Sequence, residues 1–321
     1  MTDNGTVEDS AARDTWLGRL PARVRFVEVG PRDGFQNLDE FVPTADKIQI
    51  VNRLVGLGFD RVEVTSFVHP HAVPQMRDAE AVLGAARRGL ATLMVLVPNR
   101  RGAERALAGQ PDMLNFVLSA SEAHNRANLN RTVAESMVDL AGTLDLAQAA
   151  AVPLRLTIAT SFGCPYEGYV NPDAVLALAR RAAGLGVVEI CLGDTTGMAD
   201  PLQVYQLFTD LASAVPDVTA AVHLHNTRGS GSANLLAALA AGITVIDGSV
   251  GGLGGCPYAP GATGNVCSED MVHLLEAMGV ATGVRLPELV DVALDIERRL
   301  GLNLPGQVMR AGLSWQLAPT R

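Results

Sequence analysis

The stretch Ala221-Val222-His223-Leu224-His225-Asn226-Thr227-Arg228-Gly229 ends a short apolar run on two histidines one residue apart. Side chains alternate between the faces of an extended strand, so His223 and His225 point one way, Val222 and Leu224 the other. Two imidazoles spaced by about 6–7 Å along one face can both reach a single divalent cation. A solvated or hydrogen-bonded histidine pair would look the same in isolation. The weight therefore rests on what the rest of the chain brings to the same place.

Outward from this stretch, apolar β-rich runs alternate with helical patterns. Strands are expected at 24–29, 61–67, 92–97, 113–118, 155–159, 187–192, 221–225 and 244–250. Helices are expected at 44–57, 74–88, 133–150, 172–185, 201–215 and 232–241, with two more in the tail at 268–278 and 287–300. Several begin at proline or a capping side chain, and several stop at glycine, as at Gly58, Gly186 and Gly242. Buried parallel strands need helical crossovers, so eight such units point to an α/β fold, a (β/α)8 TIM barrel with extra C-terminal helices. A doubly wound open sheet is the competing architecture. The barrel is preferred because polar residues gather where the strands end: Arg32 and Asp33, Glu63 and Ser66, Asn99, Ser119 and Ser121, Asp194, the two histidines, then Asp247 and Ser249. A barrel converges those ends on one mouth, whereas an open sheet would spread them along a line. Residues 1–20 are expected to form a flexible leader and 21–321 a single barrel domain.

Composition removes several classes. The net charge of −9 disfavours general affinity for nucleic acid or an anionic membrane, and no apolar run reaches the length of a membrane span. Cys164, Cys191, Cys256 and Cys267 lack metal-finger spacing and suit reduced thiols of a cytoplasmic enzyme. Lys47 is the only lysine and falls on an outer helix, which leaves Schiff-base chemistry almost without a candidate. The same lack disfavours a biotin-dependent carboxyltransferase, which would need a lysine at the mouth.

Two further stretches carry chemistry. Val29-Gly30-Pro31-Arg32-Asp33-Gly34-Phe35-Gln36 follows the first strand; its carboxylate can join the two imidazoles around a cation, and Arg32 can hold an oxyanion. A salt bridge within the turn is the plainer alternative. After the last strand comes the glycine-rich run 251–265, which lacks the Lys-Ser/Thr ending of a phosphate-binding loop. Cys256 lies near its centre, and Asn265 at its end could add a neutral oxygen ligand.

These segments resemble the 3-hydroxy-3-methylglutaryl-CoA lyase family, within the metal-dependent lyase and Claisen-condensing TIM-barrel superfamily. The resemblance rests on Val27–Gly34, Thr65-Ser66-Phe67-Val68, Val73-Pro74-Gln75-Met76, Gly163-Cys164-Pro165-Tyr166-Glu167-Gly168, Leu192-Gly193-Asp194-Thr195, the histidine strand, and the Cys256 loop through Glu269-Asp270. It covers about residues 23–285, and the Cys256 loop separates the lyases from their condensing relatives. It implies Mg2+ or Mn2+ held by Asp33, His223, His225 and Asn265. It further implies that Arg32 stabilises an enolate and that Cys256 takes part in proton transfer; on chemical grounds the base is either Asp33 or a metal-bound water. Glu63 and Asp194 then support the site, and Gln36 and Ser66 are assigned to an acyl-CoA substrate. With lysine nearly absent, Arg100 and Arg101 after the third strand are assigned to its phosphates, a solvated helix start being the equal alternative. A homodimer is also implied. The chain departs from the family pattern at Asn226, where an aspartate is usual, at Phe35, and over 68–72. These departures leave the acyl group open between 3-hydroxy-3-methylglutaryl and another branched 3-hydroxyacyl thioester. A condensing enzyme resembling isopropylmalate synthase is a more distant alternative.

Overall fold

The computed structural model describes residues 20–254 and 264–316. The leader and Cys256 lie outside the described residues. Eight parallel strands close into a barrel in sequence order: β1 (Arg25–Glu28), β2 (Arg61–Ser66), β3 (Thr92–Val97), β4 (Met113–Ser119), β5 (Leu154–Ala159), β6 (Glu189–Gly193), β7 (Thr219–His223) and β8 (Val245–Gly248). The barrel closes where β1 pairs with β8, in the register Arg25↔Val245 through Glu28↔Gly248. Right-handed crossovers from strand to parallel strand force the helices to the outside.

The helices are α1 (Thr44–Leu54), α2 (Ala79–Ala85), α3 (Arg100–Ala108), α4 (Glu122–Leu129), α5 (Val133–Ala149), α6 (Pro172–Leu185), α7 (Pro201–Ala214) and α8 (Gly231–Ala240). Then α9 (Ser268–Ala277), α10 (Leu286–Leu300) and the short α11 (Val308–Ala311) follow the last strand. The expected helix over 74–88 is broken: a turn at Pro74–Met76 precedes α2. Helix α4 was not anticipated, because it is short and rich in polar residues, and α3 begins at Arg100, the solvated helix start that was the alternative reading there. Their starts explain two of the polar residues near the mouth. Asn99 accepts from Gly102 N at the start of α3, and Ser121 accepts from His124 N at the start of α4. Each such cap stabilises its helix by about 1 kcal/mol.

The main apolar core lies between the sheet and the helices. A smaller cluster fills the inside of the barrel: Val27, Val29, Met94, Met113, Cys191, Ala221 and Val245. Charge shares that interior. Arg155, completely buried, pairs with Asp247 at 2.5 Å and with Glu189 at 3.6 Å, while Arg61 reaches Glu189 at 2.6 Å. Lys47 is buried too, bonded to Asp78 at 2.8 Å and to the Gln75 carbonyl, so its amine is committed to structure.

Glu28 at the end of β1 is a junction. Its Oε1 accepts from Gly30 N at 2.7 Å and Val250 N at 2.9 Å, and its Oε2 accepts from the Ser268 hydroxyl at 2.6 Å. Burial pushes this carboxyl up to about 8, against the pull of those three donors, and the neighbouring Glu269 acts in the same direction as burial. Glu269 is itself pushed up to about 7 by burial. The folded chain thus keeps protons that the unfolded chain surrenders near 4.5, so stability falls as pH rises from about 5 to 8. The thermal midpoint is expected to drop by roughly 5 °C between pH 6 and 9. Glu28→Gln, which mimics the protonated acid, should flatten that slope in a differential scanning calorimetry series. An unchanged slope would remove Glu28 from the account.

Candidate metal and lyase centre at the barrel mouth

The mouth is built around β7 and the turn after β1. Strand β7 ends at His223, two residues short of the expected end. His225 instead forms an isolated antiparallel bridge with Asn265 on the returning segment. Asn226 N donates to Gly264 O at 2.7 Å, and Val266 N donates to Leu224 O at 3.1 Å. The backbone therefore stays extended past the strand, which keeps both imidazoles on one face. Pairing with 264–266 also sets Asn265 beside them. Asn226 shapes the next turn, its Oδ1 accepting from Gly231 N at 3.0 Å.

After β1 the chain makes one wide helical turn over Gly30–Gly34, and Asp33 N returns to Val29 O at 2.7 Å. That turn places Arg32 and Asp33 at the mouth. Glycine is required opposite it. A Cβ on Gly254, at φ +107°, would stand 2.8 Å from Asn265 Nδ2 and 3.2 Å from Asp33 O.

Asp33, His223 and His225 bring one ligand atom each within 4.8 Å of the others. The two Nε2 atoms are 3.2 Å apart, and His223 Nε2 is 3.9 Å from Asp33 Oδ2. Octahedral ligands about 2.1 Å from a small divalent ion would be spaced by about 3–4 Å. Asn265 joins them by donating to Asp33 Oδ2 at 2.7 Å, and its Oδ1 is buried without a hydrogen-bond partner among the described residues. Two imidazoles, a carboxylate and a spare amide oxygen fit a divalent cation by spacing and donor type. Burial alone would raise Asp33, but Arg32, helped by His223 and His225, holds it well below the usual carboxylate range. Burial and the adjacent His223 press His225 down to about 3, so its ring is neutral and able to ligate near neutral pH.

Arg32 is gripped at two points. Its Nε donates to Glu63 Oε2 at 2.5 Å, and its Nη1 donates to Asp33 Oδ1. Functional and structural readings of this turn are therefore compatible: the salt bridge exists, and it aims the guanidinium. Asp194 accepts from Met198 N at 2.8 Å and Ala199 N at 3.2 Å, and its own N donates to His223 O at 2.9 Å. It fixes the β6–α7 loop against the histidine strand.

A cavity of about 350 Å³ opens over these groups and is lined by Arg32, Asp33, Gln36, His223 and His225 among others. Ser66 is buried but does not line it. Arg100 and Arg101 are also outside it; Arg100 pairs with Glu104 at 3.3 Å on the surface. Arg131, which sequence reasoning passed over, does line the cavity and bonds to Asp139.

Asp247 and Arg155 were likewise missed as site residues. Asp247 Oδ2 lies 3.3 Å from His223 Nδ1. Burial alone would raise this carboxyl, but Arg155 and His223 hold it low. An ionised carboxylate can only accept, so His223 Nδ1 donates in this contact, which turns Nε2 toward Asp33 and His225. The signal was Arg155, the one charged residue of strand β5, which needs a buried anion across the barrel. Asp247→Asn is expected to weaken Mn2+ binding by about tenfold, measured by isothermal titration. Unchanged affinity would show that β7 alone orients the ring.

A closed eight-stranded barrel with two histidines, a carboxylate and an arginine at its mouth is the framework of the metal-dependent carbon–carbon lyases. The chain belongs to the HMGL-like family, whose model matches residues 23–296. It is 44% identical over 288 residues to a hydroxymethylglutaryl-CoA lyase of Bacillus subtilis, covering 89% of this chain and 96% of that protein. It is 41% identical over 300 residues to an (R)-citramalyl-CoA lyase of Chloroflexus aurantiacus, covering 90% and 95%. A solved HMG-CoA lyase from Acinetobacter baumannii, in complex with coenzyme A and 3-methylmalate, superposes with a TM-score of 0.89 at 39% identity, covering 94% of this chain and 98% of that one. The family is divalent-metal-dependent, and the chain is a carbon–carbon lyase. No helix among the described residues is long and apolar enough to cross a membrane.

Proposed function

We propose that the protein cleaves 3-hydroxy-3-methylglutaryl-CoA to acetoacetate and acetyl-CoA with Mg2+ or Mn2+ bound. The observation that carries this reading is Arg32, held beside the Asp33–His223–His225 cluster and facing one cavity. Asp33, His223, His225 and Asn265 would hold the cation. When bound, it supplies a Lewis acid that binds substrate oxygens and eases loss of the hydroxyl proton.

The chain's own groups do the rest. Asp33, or a water beside it, takes the proton from the C3 hydroxyl. The C3 oxygen becomes the ketone of acetoacetate as the C2–C3 bond breaks, and its electron pair moves into the thioester as an enolate. Arg32 meets that negative charge. A proton delivered to C2, assigned to Cys256, completes acetyl-CoA. Gln36 and Ser66 are assigned to the acyl group, Arg100 and Arg101 to coenzyme A phosphates, and Glu63 and Asp194 to support of the site.

The (R)-citramalyl-CoA lyase relative favours a second reading on one specific ground: a similar chain takes a different branched hydroxyacyl thioester. Incubating the Mn2+-loaded enzyme with both thioesters and identifying the keto-acid product separates the two. Acetoacetate from the methylglutaryl thioester is expected; pyruvate from citramalyl-CoA alone would replace the first reading with the second. Free CoA released from acetyl-CoA plus a 2-oxo acid would instead indicate a condensing enzyme. Cys256→Ser is expected to lower kcat by about 10²-fold while changing Mn2+ affinity little. Full activity in that variant would count against the thiol's role. From the family resemblance we also infer a homodimer, and from composition and charge a cytoplasmic protein without affinity for nucleic acid or membrane; a single-chain mass by light scattering would remove the dimer.

A further inference from the structure

We propose that Asn115 and Thr157 are positioning residues for the reaction, forming a neutral relay that locks the carboxylate aiming Arg32. The observation is a continuous chain of hydrogen bonds across the mouth. Thr157 Oγ1 on β5 donates to Asn115 Oδ1 on β4 at 2.7 Å. Asn115 Nδ2 donates to Glu63 Oε1 on β2 at 2.7 Å. Arg32 Nε donates to the other oxygen, Glu63 Oε2, at 2.5 Å. Asn115 and Glu63 are almost wholly buried, and Asn115, Thr157 and Arg32 all line the cavity.

Each link has a physical task. A carboxylate held by one partner can turn about its terminal bond, and Arg32 Nε would follow it. Asn115 fixes the second oxygen and so stops that rotation. The hydroxyl of Thr157 in turn supplies the donor that Asn115 Oδ1 needs, which leaves the amide only one satisfied orientation. With Nε on Glu63 and Nη1 on Asp33, Nη2 is the donor of Arg32 with no hydrogen bond among the described residues. The relay therefore sets where that remaining donor stands relative to the reacting thioester. The inference rests on the reading that Arg32 meets the developing negative charge.

The test compares Asn115→Leu, Thr157→Val and Thr157→Ser with Arg32→Gln as a control. Asn115→Leu is expected to lower kcat by about 10–100-fold and Thr157→Val by roughly fivefold. KM and the affinity for Mn2+ alone, by isothermal titration, should each stay within roughly threefold, because the relay does not touch the metal cluster. Thr157→Ser, which keeps the hydroxyl, should restore kcat. Three results overturn the relay: full kcat in Asn115→Leu, equal loss in Thr157→Ser and Thr157→Val, or failure of both Asn115→Leu and Thr157→Val to fold. The last would mean that the pair holds the barrel rather than the guanidinium. Full activity in Arg32→Gln would instead overturn the underlying reading; loss in Arg32→Gln without loss in Asn115→Leu overturns only the relay.

Discussion

Arg32→Gln is expected to lower kcat by about 10³-fold, the loss that follows removal of a donor aimed at developing charge. The side chain is 10% exposed and anchored to Glu63 and Asp33, so it loses little freedom when substrate arrives. Donors that are already oriented in a partly desolvated site cost little reorganisation as charge builds, which is why the effect should appear in kcat rather than KM. Glutamine retains hydrogen-bonding capacity but no charge. The variant's affinity for Mn2+ should remain measurable, since no cluster ligand is removed, although Asp33 loses the guanidinium that keeps its carboxyl acidic. Metal binding should consequently weaken toward low pH in the variant, and more so than in the wild type. Steady-state kinetics with parallel metal titrations from pH 5 to 8 checks both halves. A loss confined to KM would place Arg32 in uniform substrate binding.

Removing the cation is expected to bring turnover to background, and His223→Ala to reproduce that loss even at saturating Mn2+. The two Nε2 atoms face one another at 3.2 Å, with the carboxylate of Asp33 at 3.9 Å from His223 Nε2. Removing one imidazole also leaves Asp247 without the proton donor it meets at 3.3 Å. Dialysis against a chelator, followed by titration of Mg2+ or Mn2+, should restore wild-type activity and leave His223→Ala inactive. Activity persisting after chelation, with metal content checked by elemental analysis, would dismiss the metal-assisted route. Recovery with Zn2+ but neither Mg2+ nor Mn2+ would correct the metal assignment.

Much of this centre was legible before any coordinates. Alternating apolar runs and capped helices imposed the barrel, and polar residues just past each strand located its mouth. His223, His225, Asp33 and Arg32 were recoverable because each sits next to a strand end, where the fold leaves few directions to face. What stayed hidden depended on register across non-neighbouring strands. Arg155 reaches Asp247 across 92 positions of sequence, and Asn115 reaches Glu63 across 52. Neither distance follows from a local pattern. Arg131 was missed for another reason: it follows α4, a short polar helix whose presence no apolar periodicity announces. Arg100 and Arg101 follow β3 directly, where the Asn99 cap starts α3, and neither lines the cavity, so the coenzyme A contact proposed for them lies beyond it.

The ions inside the barrel have a consequence for anyone reshaping its substrate range. Arg155, Asp247, Glu189 and Arg61 are mutually dependent, and deleting one partner of a buried ion pair typically costs about 3–5 kcal/mol. Directed evolution that samples one position at a time would discard most changes at the barrel floor as unstable. Libraries that exchange the charges of Arg61 and Glu189 together, or replace that pair by fitted hydrocarbon, while keeping Asp247 behind His223, would find routes to new acyl groups that stepwise screening passes over.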